Sequence, residues 1–200
     1  MDAPTPTRSA LLDLVDERRA MREGHAFLDE KCMLLAGAML AGLGEHRRAE
    51  AAVQAAHGAA LDALAAALAR HGLGALQAHP AGPSTAATAV AARRLMGVGL
   101  LDVALEPARD AGEAPVPAFD RSPESAACAL AFGELARACA PLAAAQGNLE
   151  RLDREYRKTS RRARALADVL MPEADRLIAE LDTRLADLEQ EDAIWRRGAR

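Results

Sequence analysis

Aromatic side chains are almost missing from this sequence: one Trp, one Tyr and three Phe among 200 residues. Aromatic and β-branched residues fill most sheets and line most small-molecule pockets, so their scarcity argues against both. Cysteine is equally sparse. Cys32, Cys128 and Cys139 are odd in number, widely spaced and never in a CxxC pair. That pattern fits a reducing compartment and ordinary helix packing better than a disulfide framework. Charge of one sign is also lacking, since the net value is −4. No global field for nucleic acid or membrane follows from it. The N-terminus, MDAPTPTRSALL, carries no basic head before an apolar run, and no long apolar stretch is free of charge. The chain is therefore expected to be soluble and cytoplasmic.

Motifs of catalysis are missing too. The sequence contains no GxxxxGKS/T, no GxSxG and no HExxH. The five histidines, His25, His46, His57, His71 and His79, never fall three or four apart. Metal ligation by one helix face needs such pairs, so no metal is expected. No cofactor is expected either, and the chain is not expected to be an enzyme.

What is present is alanine, leucine, glutamate and arginine. Alanine supplies 50 of the 200 residues, and 27% of the chain is charged. That composition reads as long helices or coiled coil. Thr5 followed by Pro6 is a hydroxyl cap with proline at the first helical position. An apolar stripe then runs through Leu11, Leu14, Arg18, Met21, His25, Leu28, Cys32, Leu35 and Met39, alternating steps of three and four. A period of 3.5 is the signature of a left-handed coiled coil. Gly37, Gly42 and Gly44 should thin this helix, and His71-Gly72 should end it. Ala-rich turns between Glu45 and Arg70 would let a partner helix approach closely.

The middle has a different texture. Glycine and proline mark residues 72–83 as a loop. Ser84 could cap a short helix from Thr85 to about Met96. Residues 97–121 mix Val98, Leu100, Val103, Val116 and Phe119 with Pro107, Pro115 and Pro117, the one place where a short β-hairpin is allowed. Ser122-Pro123 repeats the start signal, Pro141 should kink the helix that follows, and a last helix should run from about Leu142 to Arg197. Its stripe is Leu149, Leu152, Tyr156, Thr159, Ala163, Leu166, Leu170, Ala174, Leu177, Leu181, Leu185 and Leu188, with a local kink at Pro172. The expected fold is all-α: a long antiparallel coiled coil of N- and C-terminal helices with a short irregular foot between them. Its segments are 1–71, 72–121 and 122–200. About 55 helical residues would make a rod of about 80 Å.

Two segments resemble the D-subunit family of the V-type and archaeal-type rotary ATPases. In residues 4–35 the matching positions are Pro6, Thr7, Arg8, Leu11, Leu12, Arg22, Glu23, Gly24, His25, Leu28, Glu30 and Lys31. In residues 149–197 they are Arg157, Lys158, Thr159, Arg161, Arg162, Ala165, Leu166, Pro172, Ile178 and Leu181. The pair of matches, at both ends and in order, is more specific than either alone. The middle departs from the family, since Gly97-Val98-Gly99-Leu100-Leu101 lacks its proline. The resemblance implies a non-catalytic axle inside a hexamer of catalytic and regulatory ATPase subunits. It implies that the foot meets the F-subunit of the stalk and the membrane-ring adaptor.

Under that resemblance the run Arg157, Lys158, Arg161, Arg162 and Arg164 becomes a charged collar facing the hexamer. Read alone, it is a solvated helix face. Nucleic acid is disfavoured, because only Tyr156 is available to stack and Asp153, Glu155 and Asp168 flank the run. Ile194 and Trp195 would either anchor the shaft end in a bearing or pack on Leu11 and Leu14, and the second needs no partner. The competing function is a free-standing coiled-coil adaptor, which explains the periodicity but not the two matched ends.

Overall fold

The computed structural model describes residues 6–77, 87–106 and 122–198. In chain order these form helix α1 (Arg8–Gln77), strands β1 (Ala87–Leu95) and β2 (Val98–Glu106), helix α2 (Pro123–Ala165), a π-helical turn (Leu166–Leu170) and helix α3 (Met171–Gly198). Two compact units result. One combines the described residues up to Ala36 with those from Glu155 onward, and the other spans Gly37–Arg154.

Helix α1 is capped by Thr7, whose Oγ1 accepts the Ala10 N–H at 3.2 Å. The expected cap, Thr5, lies outside the described residues. Thr7 wins because its hydroxyl sits three residues before a free amide of the first turn. The half-buried or buried positions of α1 then run without interruption from Leu11 to Ala67. Beyond Met39 they continue through Gly42, His46, Ala49, Val53, Ala56, Ala60 and Ala63, still alternating three and four. Only Gly72 within α1 leaves helical geometry, at φ 72 and ψ 165, a backbone state that glycine adopts without a Cβ penalty. The sequence expects a stop there. The first helix does break there, and further helical turns run on through Gln77.

In the first unit, antiparallel pairing shows in the ion pairs between helices. Lys31 meets Glu155, Arg18 meets Asp175 and Arg8 meets Glu189. In the second unit, Arg70 meets Glu124, and Leu149 lies against Gly42. A Cβ on Gly42 would come within 3.1 Å of Leu149 Cδ2, so glycine is what lets the helices close here. Ala60 and Ala67 are fully buried for the same reason. Among the described residues only ten apolar side chains are buried, and Leu35 is the one large side chain wholly hidden. The core is a narrow seam.

Helix α2 starts as the sequence predicts. Ser122 and Ser125 cap each other, the Ser125 amide reaching Ser122 Oγ at 3.1 Å and the Ser122 amide reaching Ser125 Oγ at 3.2 Å. The expected division at Pro141 is absent, and α2 runs through it. Pro141 is exposed, so the carbonyl of Arg137 that loses its partner can turn to water. The helical stripe of α2 passes Cys128, Ala131, Leu135, Ala138, Leu142, Ala145, Leu149, Leu152, Tyr156, Thr159, Ala163 and Leu166 in steps of three and four. Continued unchanged, it would place Leu170, Glu173, Leu177, Glu180 and Arg184 in the seam. All of these but the half-buried Leu177 are exposed. The inward positions are Met171, Ala174, Ile178, Leu181 and Leu185, one residue later.

The π turn explains that shift. The Met171 amide bonds to the Leu166 carbonyl, five residues back. A π turn takes up one residue more than an α turn, so the heptad resumes one position on. Pro172 favours this place because it has no N–H to return to residue 168. The expected stripe position Leu170 is therefore corrected: it is 41% exposed.

The short helix expected over 85–96 is also overturned. Ala87–Leu95 is a strand, paired antiparallel with Val98–Glu106 from Leu95↔Val98 to Ala87↔Glu106. Alanine's helical preference yields to ladder pairing, which propensity alone does not foresee. Met96 and Gly97 both take positive φ, 48° and 88°. That is the two-residue turn that matches strand twist. The hairpin thus begins earlier than the 97–121 window allowed for it, and Val116, Phe119, Pro107, Pro115 and Pro117 lie outside the described residues. Val98 and Leu100 point inward. Asn148 of α2 holds the outer edge of β2: its Oδ1 accepts the Leu101 N–H at 2.8 Å and its Nδ2 donates to the Leu101 carbonyl at 2.7 Å. The side-chain amide stands in for a third strand on otherwise unpaired backbone groups.

Replacing Asn148 with Ala would leave both Leu101 groups without that partner. The expected cost is about 1–3 kcal/mol, read as a lower thermal midpoint, with faster exchange of the Leu101 amide. Unchanged exchange at Leu101 would show that Asn148 does not clamp the edge.

Candidate partner-facing surfaces

The basic run lies on the last turns of α2. Arg157, Lys158, Arg161, Arg162 and Arg164 are all exposed, while Thr159 and Ala163, between them, are buried at 2% and 5%. Helical spacing produces this split, since seam positions recur every three or four residues and the intervening ones face away. Arg161 Nε donates to the Arg157 carbonyl at 3.4 Å. The structure therefore brings the five cations onto the solvent side of one helix.

Beside them Lys31 Nζ donates to Glu155 Oε1 at 2.6 Å. This is the most shielded of the ion pairs between helices, with side-chain exposures of 17% and 27%. The Lys31 hydrogen bond holds the Glu155 carboxyl below the usual carboxylate range. Burial opposes the effect, and the charges of Lys31, Lys158 and Arg162 add to it. A groove of about 290 Å³ opens next to the pair, with His25, Asp29, Cys32, Tyr156 and Arg164 in its walls. Burial, with Asp29 adding to it, pushes the Cys32 thiol up, away from the reactive thiolate. Among the described residues no group of three or more His, Cys, Asp or Glu is placed to hold a metal.

At the far end of α3, Ile194 is 60% exposed and Trp195 79%. Packing on Leu11 and Leu14 does not occur. Arg8, the first residue of α1, already meets Glu189, so α3 runs past the start of its partner helix. Among the described residues, Trp195 lies beyond that ion pair and stays exposed. The sequence contains the residues of this end and of the basic run. It does not disclose Asn148, Glu155 or the Ser122–His71 contact at 2.6 Å, because each depends on a pairing level between distant helices.

The helical run Pro123–Arg197 contains one window long and apolar enough to cross a membrane by composition alone. Its apolar part includes Glu134 and Arg137, which pair with each other.

The Glu155 carboxyl sits lower in the folded chain than in the unfolded one, so its contribution is full above the unfolded value of about 4.3. It is lost as pH falls through the lower folded value. Stability should therefore drop on acidification, and Lys31→Met should flatten that part of the profile. Thermal midpoints between neutral and strongly acidic pH test this, and parallel profiles for the two chains would contradict it.

No curated protein matches the chain. A family model for the D-subunit of ATP synthase matches residues 10–197, nearly the whole chain. Long N- and C-terminal helices pair within each unit, with a hairpin between them in sequence, so the fold agrees with the match. This chain belongs to the ATP synthase D-subunit family of V/A-type rotary ATPases.

Proposed function

We infer that the chain is the non-catalytic central-stalk rotor subunit of a V/A-type rotary ATPase or ATP synthase. It transmits torque between ATP hydrolysis or synthesis in the catalytic hexamer and ion translocation in the membrane ring. The observation that carries this reading is the family match over residues 10–197. The physical form supports it. A shaft needs continuous helices, a dry seam and an outer surface that does not lock onto its housing. Polar, arginine-bearing faces suit sliding contact better than apolar ones.

The collar Arg157, Lys158, Arg161, Arg162 and Arg164 faces the hexamer in this reading, and Ile194 with Trp195 forms the shaft end. The F-subunit of the stalk and the membrane-ring adaptor meet the foot, residues 72–121, to which the hairpin belongs. The protein takes no cofactor and no nucleic acid. It is cytoplasmic and reaches the membrane through the complex, without inserting.

Affinity capture of the tagged chain from its native cells should recover the catalytic and regulatory ATPase subunits, each in excess over this chain by quantitative mass spectrometry. Recovery of the chain alone, or with unrelated proteins, would leave the coiled-coil adaptor as the function. Reversing the collar with Arg161→Glu and Arg162→Glu should lower the coupled ATPase rate of the assembled complex about tenfold, the scale of a lost charge-assisted contact. The helicity of the isolated chain should stay intact, because both side chains are exposed. Unchanged turnover in the complex would remove the collar from the torque path.

A further inference from the structure

We propose that the π turn Leu166–Leu170 stores one residue in excess of the heptad repeat and acts as a yielding joint in the helical arm formed by α2 and α3. Three observations converge on it. First, the seam of α1 is uninterrupted from Leu11 to Ala67, whereas the facing seam slips by one residue between Ala163 and Ala174. The partner helix cannot absorb the extra residue, so the arm holds it in a single widened turn. Second, that turn has no buried residue, and Val169 is 57% exposed. It is followed by Pro172, which has no N–H to donate back to its carbonyls. Third, the packing beside it is thin. The groove of about 290 Å³ lies between Ala163, Arg164 and Ala167 on one side and His25, Asp29 and Cys32 on the other. Gly24, next to His25, has nothing within 4 Å of the place a Cβ would take.

Ion pairs bracket this weak level. Lys31–Glu155 closes the helices on one side of it and Arg18–Asp175 on the other. Between these clamps the backbone has a π turn in one helix and a glycine, a poor helix former, in the other. Few buried contacts and solvent-facing backbone bonds are the conditions for local opening at low free energy. The joint can yield by trading bonds between the five-residue and four-residue patterns, moving α3 in rotation relative to α2 without unzipping either clamp. The joint itself does not depend on the stalk function. Its consequence in a rotor, elastic lag between the basic run and the Trp195 end, rests on that reading.

Hydrogen exchange on the full chain tests the joint directly. Amides of the turn should exchange at least about tenfold faster than those of 152–163 and 174–185. Deleting Val169 should restore an unbroken heptad, remove that contrast and keep or raise the thermal midpoint. Deleting the exposed Asp182, which creates a slip where none exists, should lower it. Pro172→Ala, which returns an N–H, should slow exchange in the turn without altering the chain length. Uniform protection through 152–185 would overturn the joint. A Val169 deletion as destabilising as the Asp182 deletion would overturn the stored residue. Neither readout uses the assembled ATPase, so failure here is distinct from failure of the stalk assignment.

Discussion

A narrow helical seam must stay in register over many turns, and nearly every other feature follows from that constraint. Two long helices share few buried side chains, so each inward position carries a large part of the pairing. A compact domain spreads a mismatch over neighbouring core residues. A two-helix seam has none to spare, and a single residue of slip turns acidic and basic side chains inward. Here Glu173, Glu180 and Arg184 would have entered the seam, and the π turn before Pro172 keeps them out. The proline and the turn are therefore one device. The missing N–H makes an α turn less favourable where the pattern needs a wider one.

The same constraint explains the composition. Close approach in the second unit relies on Gly42, Ala60 and Ala67, and alanine can line a seam without bulk. Alanine elsewhere keeps the helices intrinsically stable without adding apolar surface that would cause sticking. The arginines occupy positions the seam leaves outside. Arg157, Lys158, Arg161, Arg162 and Arg164 are exposed because Thr159 and Ala163 must be buried. The polar ion pairs Lys31–Glu155 and Arg18–Asp175 then set the level at which the helices face each other, which a repeating apolar seam specifies weakly.

Legibility in the sequence varies with the range of the interaction concerned. Leu11 through Met39 are readable because a coiled-coil stripe is local periodicity, and Ser122-Pro123 because a cap is settled within four residues. Thr7 replaces Thr5 as the first cap since both hydroxyls precede the same apolar run and only the backbone path chooses between them. Ala87–Leu95 reads wrongly as helix because its alanines favour helix in isolation, while the partner strand supplies ladder bonds that local propensity omits. Asn148 is invisible for a related reason: an asparagine inside a helical run has no sequence signal until β2 lies beside it. Of the two roles the sequence allows for Trp195, packing on Leu11 and Leu14 is not seen among the described residues, because α3 extends past Arg8 and the ring is exposed.

The sequence by itself determined that this chain forms long paired helices, because seam period and capping are encoded within a few turns of each element. It also determined family membership, since the matching residues lie along the chain in order. Tertiary structure alone decided the pairing level of the helices, the start of the hairpin, the clamp at Asn148 and the π turn before Pro172. Each of these compares two segments far apart in sequence. Their relative register is a free-energy choice among nearly equivalent apolar matches, and it is settled only when both surfaces are present.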